Sequence, residues 1–472
     1  MTSPPTTAVN RSWFPEPSPV LATEDLATQE RIRQHLHHGL ASHELPSYVY
    51  TYPPRQTYRN IIDLHNREWT FSHLVDTPGN FSLYFHFPFC KQICSYCNLF
   101  AVGHSDESIL DDYIAALGTE LEYYRPVFQG VRPRTVFLGG GTPSLLSPKQ
   151  LERLFAKVDE YLPDFRSTCE EICLEAAPDT VTRSHFSAFK DLGINRVNLG
   201  IQSLADDELT NIGRLHSNRV CRDAIDALQL LQFDNLVLDL INGLLDQSRA
   251  SWLASVREVA ALHPETTCTY FLKVRPATGV FNHRGGLCDT EELYYRYEEA
   301  REILKAGGYE QETNIRYRIP GRGGYKQKVY HWSGATILGL GAGARTYTPR
   351  LHFRNGYSAK ARTATLRRYL ANIREVGHSR EDGFLFSPDE EIRRFFVLNI
   401  HDANKNTFSV RHGLPFDQCF QNIRRVLIDE AMLIDDSDSV HLTPLGFKYR
   451  DLICWLFFSE EVAELEASYS YD

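Results

Sequence analysis

The run Phe87-Pro88-Phe89-Cys90-Lys91-Gln92-Ile93-Cys94-Ser95-Tyr96-Cys97 follows directly on the apolar stretch Ser82-Leu83-Tyr84-Phe85-His86-Phe87, and the rest of the chain is read outward from its cysteines. Three thiolates on one short loop can hold three irons of a cubane iron–sulfur cluster and leave the fourth iron open to a ligand. Three cysteines so close together can also be a zinc half-site or a set of redox thiols. Zinc requires a second half-site. The other seven cysteines, at positions 169, 173, 221, 268, 288, 419 and 454, are scattered and offer no matched pair, so they read as ordinary thiols.

From Leu83 onward, short β-rich runs alternate with longer helical patterns. Leu83–Phe87, Thr135–Leu138, Glu171–Leu174, Arg196–Leu199, Leu236–Ile241 and Thr269–Val274 read as strands. Residues Ser108–Tyr124, Pro148–Tyr161, Thr180–Leu192, Arg219–Leu231 and Ala250–Leu262 read as helices, and a further helix is expected over Thr23–Gly39. Repeated strand–helix units imply a parallel α/β sheet, and in barrels of this kind the chemistry gathers at the strand C-termini. Each expected strand supplies polar or glycine residues there. The first leads into the cysteine loop, the second into Gly139-Gly140-Gly141-Thr142-Pro143, where glycines let a backbone approach a ligand closely. The third ends at Glu175, the fourth leads to Gln202-Ser203, and the fifth carries Asp239 before Asn242-Gly243. Singly, each reads as a capping or surface residue; five beside one cysteine loop read as a site.

A chain of 472 residues exceeds what one core usually supports, so a large catalytic domain with one or two smaller units is expected. The net charge of -10, with no long basic block, argues against sequence-independent nucleic-acid binding. No apolar stretch of about 18 residues occurs, and Met1-Thr2-Ser3-Pro4-Pro5 does not open a basic-then-apolar export signal. The chain reads as cytoplasmic and without a membrane span, in a reducing compartment that suits ten unpaired cysteines. Its first 25 or so residues, rich in Pro, Ser and Thr, read as a mobile tail.

The spacing C-x3-C-x2-C, with Tyr96 before the last cysteine, resembles the signature of the radical S-adenosylmethionine (SAM) enzymes. That resemblance implies a [4Fe-4S] cluster on Cys90, Cys94 and Cys97 as both metal ligands and catalytic centre. It also implies SAM on the open iron, cleaved by an electron from the cluster to a 5′-deoxyadenosyl radical. Within the superfamily the chain resembles the oxygen-independent coproporphyrinogen III oxidase (HemN-like) family. The motifs are Tyr84-x-His86-x-Pro88-Phe89-Cys90, Gly139-Gly140-Gly141-Thr142-Pro143-Ser144, Gly200-Ile201-Gln202-Ser203, Asp239-Leu240-Ile241-Asn242-Gly243-Leu244 and Gly339-Leu340-Gly341-Ala342-Gly343-Ala344. The resemblance implies a partial (β/α)6 barrel with a C-terminal helical, winged-helix-like domain. It divides the chain into a tail and lead-in (1–75), the barrel with its extension (76–380) and the helical domain (381–472). By position, Tyr84, Gly140 and Glu175 match contacts of the cluster-bound SAM. Tyr96, Gly141, Thr142, Gln202, Arg214 and Asp239 match those of a second SAM, while Lys273 and Arg345 replace small or apolar residues at the remaining contacts. Expected partners are a small-molecule substrate and a flavodoxin- or ferredoxin-type electron donor, with the protein a monomer.

The lead-in Tyr48-Val49-Tyr50-Thr51-Tyr52-Pro53-Pro54-Arg55-Gln56-Thr57-Tyr58-Arg59 resembles HemN-like proteins outside haem synthesis. No evident cluster of cations is present for a tetracarboxylate, since Arg55, Arg59 and Arg67 read as surface residues. The retained second-site residues and this lead-in therefore favour a class C methylase-like or cyclopropanase-like reaction, carbon alkylation of a natural-product sp2 carbon. Three alternatives stand beside it: coproporphyrinogen III oxidation, another two-SAM reaction such as haem-ring chemistry, and a haem-binding chaperone without oxidase chemistry, for which His86 and His331 are the histidines to consider as axial ligands. His86, on the first strand, reads first as a core residue.

Overall fold

The structure, a computed structural model, describes residues 26–41, 48–75, 80–103, 107–275, 278–282, 286–358 and 360–469, so the expected tail lies outside the described residues. Its main sheet contains, in chain order, β1 (Phe81–Phe87), β2 (Pro133–Gly140), β3 (Glu171–Ala176), β4 (Arg196–Gln202), β5 (Asn235–Asn242), β6 (Thr266–Phe271), β7 (Glu310–Gln311), β8 (Arg316–Arg318), β9 (Thr336–Leu340), β10 (Arg345–Tyr347), β11 (Leu351–Asn355) and β12 (Arg380–Leu385). The spatial order is β12-β11-β10-β9-β1-β2-β3-β4-β5-β6-β8-β7. From β9 to β6 every neighbouring pair is parallel. The α/β partial barrel is thus the fold of this chain, with β1 to β6 as its six barrel strands and antiparallel strands at both edges.

The strands form because nearly every side chain on them is buried, as a parallel sheet covered on both faces requires. In β5, Asn-Leu-Val-Leu-Asp-Leu-Ile-Asn, only Asp239 is not fully enclosed. The helix Pro148–Tyr161 starts on a Ser147/Gln150 capping box with proline at its first turn and buries Leu151, Leu154, Phe155 and Val158. That i, i+3, i+4, i+7 spacing puts one apolar stripe on the sheet. The helix Asn218–Leu231 repeats the device with Ser217 as cap and Cys221, Ala224, Ile225 and Leu228 inward.

Two assignments differ from the sequence reading. The sixth strand begins at Thr266 and ends at Phe271, three residues earlier than expected, because its threonines are sheet residues paired with β5 from Val237 to Asn242. A seventh parallel strand, β9, lies on the other side of β1. It is not among the expected strands, and the sheet requires glycine at 339, since a Cβ would stand 2.2 Å from the Arg345 carbonyl oxygen.

A second hydrophobic cluster joins the two ends of the chain. Leu36 from the helix Leu26–Ala41, and Val49, Tyr52 and Tyr58 from the lead-in, pack with Phe395, Phe396, Phe408, Val426 and Phe457. The C-terminal unit is helical with a small antiparallel sheet of 402–404, 433–435 and 439–442. Its first helix is Pro388–Asn399, while β12 belongs to the main sheet, so the boundary expected at 381 falls within a strand.

Glu120 ties the glycine turn after β9 to its surroundings. Fully buried, it accepts hydrogen bonds from the Gly341 amide (2.8 Å), the Tyr369 hydroxyl (2.7 Å) and Asn355 Nδ2 (2.8 Å). Burial pushes its carboxyl up to about 7 against these three donors. Glu120→Ala strands the Gly341 amide and the Tyr369 hydroxyl, leaves Asn355 only its bond to the Gly341 carbonyl, and is expected to destabilise the fold by roughly 2–5 kcal/mol in urea unfolding. Because the folded carboxyl holds its proton where the unfolded one has lost it, its contribution declines as pH rises from about 4.5 to about 7. The difference between wild type and variant should therefore shrink over that range.

Candidate functional site

The cysteine loop leaves β1 and is braced from two sides. Gly141 and Thr142, at the end of β2, donate their amides to the carbonyls of Phe87 (2.7 Å) and Phe89 (2.8 Å). On the other side the Ser95 amide reaches the Ile212 carbonyl (3.0 Å), and Gln92 Nε2 reaches the carbonyl of Gly213 (2.9 Å). The Thr142 hydroxyl lies 3.5 Å from Cys90 Sγ. A Cβ on Gly141 would stand 2.5 Å from the Phe89 oxygen and 2.8 Å from that of Phe87, both rigid backbone atoms.

Beside the loop is a cavity of 490 Å³ bordered by Cys90, Cys94 and Cys97 and by the ends of β2 to β6. Tyr96, Gly140, Gly141, Thr142, Glu175, Gln202, Arg214, Asp239 and Lys273 all line it. They arrive from the ends of successive strands and from the loops after them, which is how a parallel barrel converges distant residues. Glu175 Oε2 accepts from the Gly140 amide (2.9 Å). Arg214 Nη2 donates to the Gly200 carbonyl (3.0 Å).

Burial shifts the ionisation of these groups. It raises the Glu175 carboxyl to about 7, partly offset by the Gly140 amide, and Asp239 to about 6, offset by Arg196 and Arg214. The Cys97 thiol is raised to about 11 and the Cys90 thiol also rises, both by burial. Asp239 Oδ1 and Arg214 Nε are buried without a partner among the described residues. A buried carboxylate and guanidinium left short of partners are matched to a ligand carrying both an ammonium and a carboxylate.

Among the described residues no three His, Cys, Asp or Glu side chains are grouped to share one metal ion. A cubane takes one thiolate per iron and so asks for a wider set of thiols than zinc does. Together with the glycine edge and the unpartnered polar atoms, the three cysteines fit a cluster with SAM upon it.

Tyr84 and Arg345 lie elsewhere than the rest of the sequence-derived set. Both border a second cavity, of 270 Å³, whose wall also includes Tyr50, Arg55, His86, Lys328, His331, Tyr347 and Arg354. Tyr50 and Leu99 line both cavities, so the two are neighbours. Sequence reasoning missed Tyr50 as a wall residue. It also missed Asp451 and Lys448, which reach the first cavity from the C-terminal unit and carry no motif that could have marked them. Arg55, read as a surface residue, faces the second cavity, whereas Arg59 is spent on the Gln56 and Tyr58 carbonyls and Arg67 on that of Tyr123.

His86 is engaged at both ring nitrogens. Nε2 lies 2.9 Å from the Phe100 carbonyl, which can only accept, so Nδ1 is left to accept from the Tyr84 hydroxyl at 2.9 Å. Burial lowers its pKa to about 4. His331, packed against the Tyr347 ring at 4.7 Å, is likewise held neutral, at about 3, by burial and Arg394, and its Nε2 has no partner among the described residues.

The profile of the radical SAM superfamily matches residues 84–259. The haem chaperone HemW of Escherichia coli is 32% identical over 386 residues, which cover 80% of this chain and 98% of that protein. The oxygen-independent coproporphyrinogen III oxidase of Paracoccus denitrificans is 24% identical over 416 residues, covering 84% of this chain and 90% of its own length. Among solved structures, coproporphyrinogen III oxidase (HemN) from Escherichia coli superposes with a TM-score of 0.75 at 19% identity over 87% of this chain and 96% of its own, a likeness of fold. No described helix is long and apolar enough to cross a membrane.

Gly141→Ala is expected to abolish cluster assembly, because both clashing atoms are backbone of the cysteine loop. Gly103→Ala, where a Cβ meets nothing within 4 Å, is the matched control and should keep its iron and sulfide. Iron and sulfide analysis after anaerobic reconstitution reads the difference, and equal content in the two variants would remove the steric argument.

Proposed function

Since the chain belongs to the HemN-like family of the radical SAM superfamily, which contains HemW and coproporphyrinogen III oxidases and uses a [4Fe-4S] cluster with SAM, we propose that it is a haem-binding protein of the HemW kind. The observation that carries this reading is a similarity to a haem chaperone that runs along nearly the whole of that protein. The cluster and SAM, when bound, supply one-electron chemistry. The chain's own residues bind and orient: Cys90, Cys94 and Cys97 hold the cluster, with the Gly140–Gly141 edge and Glu175 beside the SAM on it. Asp239, Arg214, Gln202, Tyr96 and Thr142 offer partners for a second SAM in the same cavity, with Lys273 at its rim.

This reading takes the place of carbon alkylation. The preference for alkylation rested on the retained second-site residues, on a lead-in taken as unlike the oxidase's and on the lack of an evident cation cluster. The fold brings together what the linear sequence hid: Arg55 and Arg345, 290 positions apart, border one cavity, beside an Arg354 that is paired with Asp382.

Titrating haem into anaerobically reconstituted protein is expected to give a saturable Soret change at one haem per chain. Incubation with coproporphyrinogen III, SAM and a reductant should release no carbon dioxide. Absence of saturable haem binding together with carbon dioxide release would hand the assignment to the oxidase; transfer of label from methyl-deuterated SAM to a carbon acceptor would return it to alkylation.

A further inference from the structure

The second cavity differs in charge from the first. Cys, Glu and Asp side chains share the walls of the first with Arg and Lys, whereas the second has no Asp or Glu among its lining residues. It has three guanidiniums, in a chain whose net charge is -10. Arg354 is neutralised by a two-pronged pair with Asp382, both bonds at 2.5 Å. Lys328 donates to the Tyr48 hydroxyl at 2.8 Å, and burial drives it toward the neutral amine. Two cations remain.

Arg345 donates to the Tyr50 hydroxyl, stands 5.2 Å over the Tyr50 ring, and forms no ion pair among the described residues. Arg55 lies 4.9 Å over the Tyr357 ring, also without an ion pair among the described residues. A guanidinium carries five N–H donors in a planar fork that matches a carboxylate, and the two phenols beside it, Tyr50 and Tyr347, use only part of that capacity. The surplus of positive charge is felt by its neighbour: burial pushes the Tyr50 phenol up, yet Arg345 and Arg55 outweigh it and hold the group below its ordinary value. A cavity walled by Tyr50, Tyr84, Phe100, Tyr325, Tyr347 and Tyr357 around such a fork suits a flat, aromatic, carboxylate-bearing molecule.

We propose that this second cavity is the seat of the acceptor's carboxylate arm, with the Tyr50-propped Arg345 as the carboxylate fork and Arg55 as its companion, holding a tetrapyrrole carboxylate next to the cluster cavity across Tyr50 and Leu99. The proposal deepens the haem reading and rests on it for the tetrapyrrole class. It also takes Arg345 out of the SAM site, where sequence position had put it.

The test uses full-length, cluster-reconstituted protein titrated with haem, with coproporphyrin III, and with the methyl esters of both. Esterification and Arg345→Met are each expected to weaken porphyrin binding roughly tenfold or more, and the ester should lose nothing further in Arg345→Met. Tyr50→Phe should weaken binding by less, and SAM affinity should be retained in Arg345→Met. Should Arg345→Met fail to assemble a cluster, the acid-against-ester comparison on wild type decides alone. Haem and its ester binding equally well to wild type would overturn the seat and leave haem binding standing. Coproporphyrin binding that depends on Arg345, without haem binding, would overturn the haem reading and leave the seat. Loss of SAM affinity in Arg345→Met would return this residue to the SAM site and overturn the seat, and binding of neither porphyrin would overturn both.

Discussion

Gly141 can carry no side chain. The amides of Gly141 and Thr142 close on the carbonyls of Phe87 and Phe89, so the end of β2 is hydrogen-bonded to the very loop that bears the cysteines. Any Cβ at 141 would enter that contact. This close approach fixes the height of the cysteine loop over the barrel mouth, and everything that lines the first cavity is placed relative to it. Gly140 adds a second constraint of the same sort, with a φ of +114° that glycine alone adopts easily and a Cβ direction that points at the His86 ring, 2.5 Å away. His86 in turn bridges the Tyr84 hydroxyl and the Phe100 carbonyl. Its neutral ring is therefore part of the scaffold under the loop.

Placing a site at the ends of buried strands makes its electrostatics expensive. Glu175 and Asp239 are half-buried at the cavity wall, and that burial raises both toward neutrality. Arg214 is held by one backbone carbonyl while its Nε goes unpartnered. Such groups are stabilised by a ligand that brings the complementary charges, whereas three other buried guanidiniums already have a carboxylate. Arg196 has Glu171, Arg316 has Glu312 and Arg450 has Asp451. Arg345, in the neighbouring cavity, has phenols where these have a carboxylate, as Arg380 does with Tyr123 and Tyr124.

The barrel was legible because parallel strands and their covering helices obey local rules. Apolar runs, capping residues and helical stripes put five helices within a few residues of where they lie, and Pro148–Tyr161 falls on its expected bounds. The cysteine loop, the triple glycine, Glu175, Gln202 and Asp239 were legible for a related reason: in a parallel barrel the residues after successive strands must meet. What could not be read was contact that no period or motif encodes. Tyr84 and Tyr96 look alike in sequence, yet Tyr84 points from β1 to the second cavity and Tyr96, on the loop, to the first. The bounds of β6 and the presence of β9 came from sheet pairing that no local pattern marked.

The lead-in is the largest such case. Tyr48 and Tyr50 form cavity wall only because both chain ends fold against one another. Arg450 donates to the Val49 carbonyl, Asp451 accepts from the Val49 amide at 3.0 Å and from Asn314 at 3.2 Å, and the Tyr52 hydroxyl donates to Glu390. A segment before the barrel is thus stapled by residues some 340 to 400 positions later. Its tyrosines gain their position from a hydrophobic cluster they share with the C-terminal helices, and its Arg55 gains its role from β10 and β11 across the cavity. The C-terminal unit therefore meets the site twice, directly through Lys448 and Asp451 and again through the lead-in, whose Tyr50 stands between the two cavities.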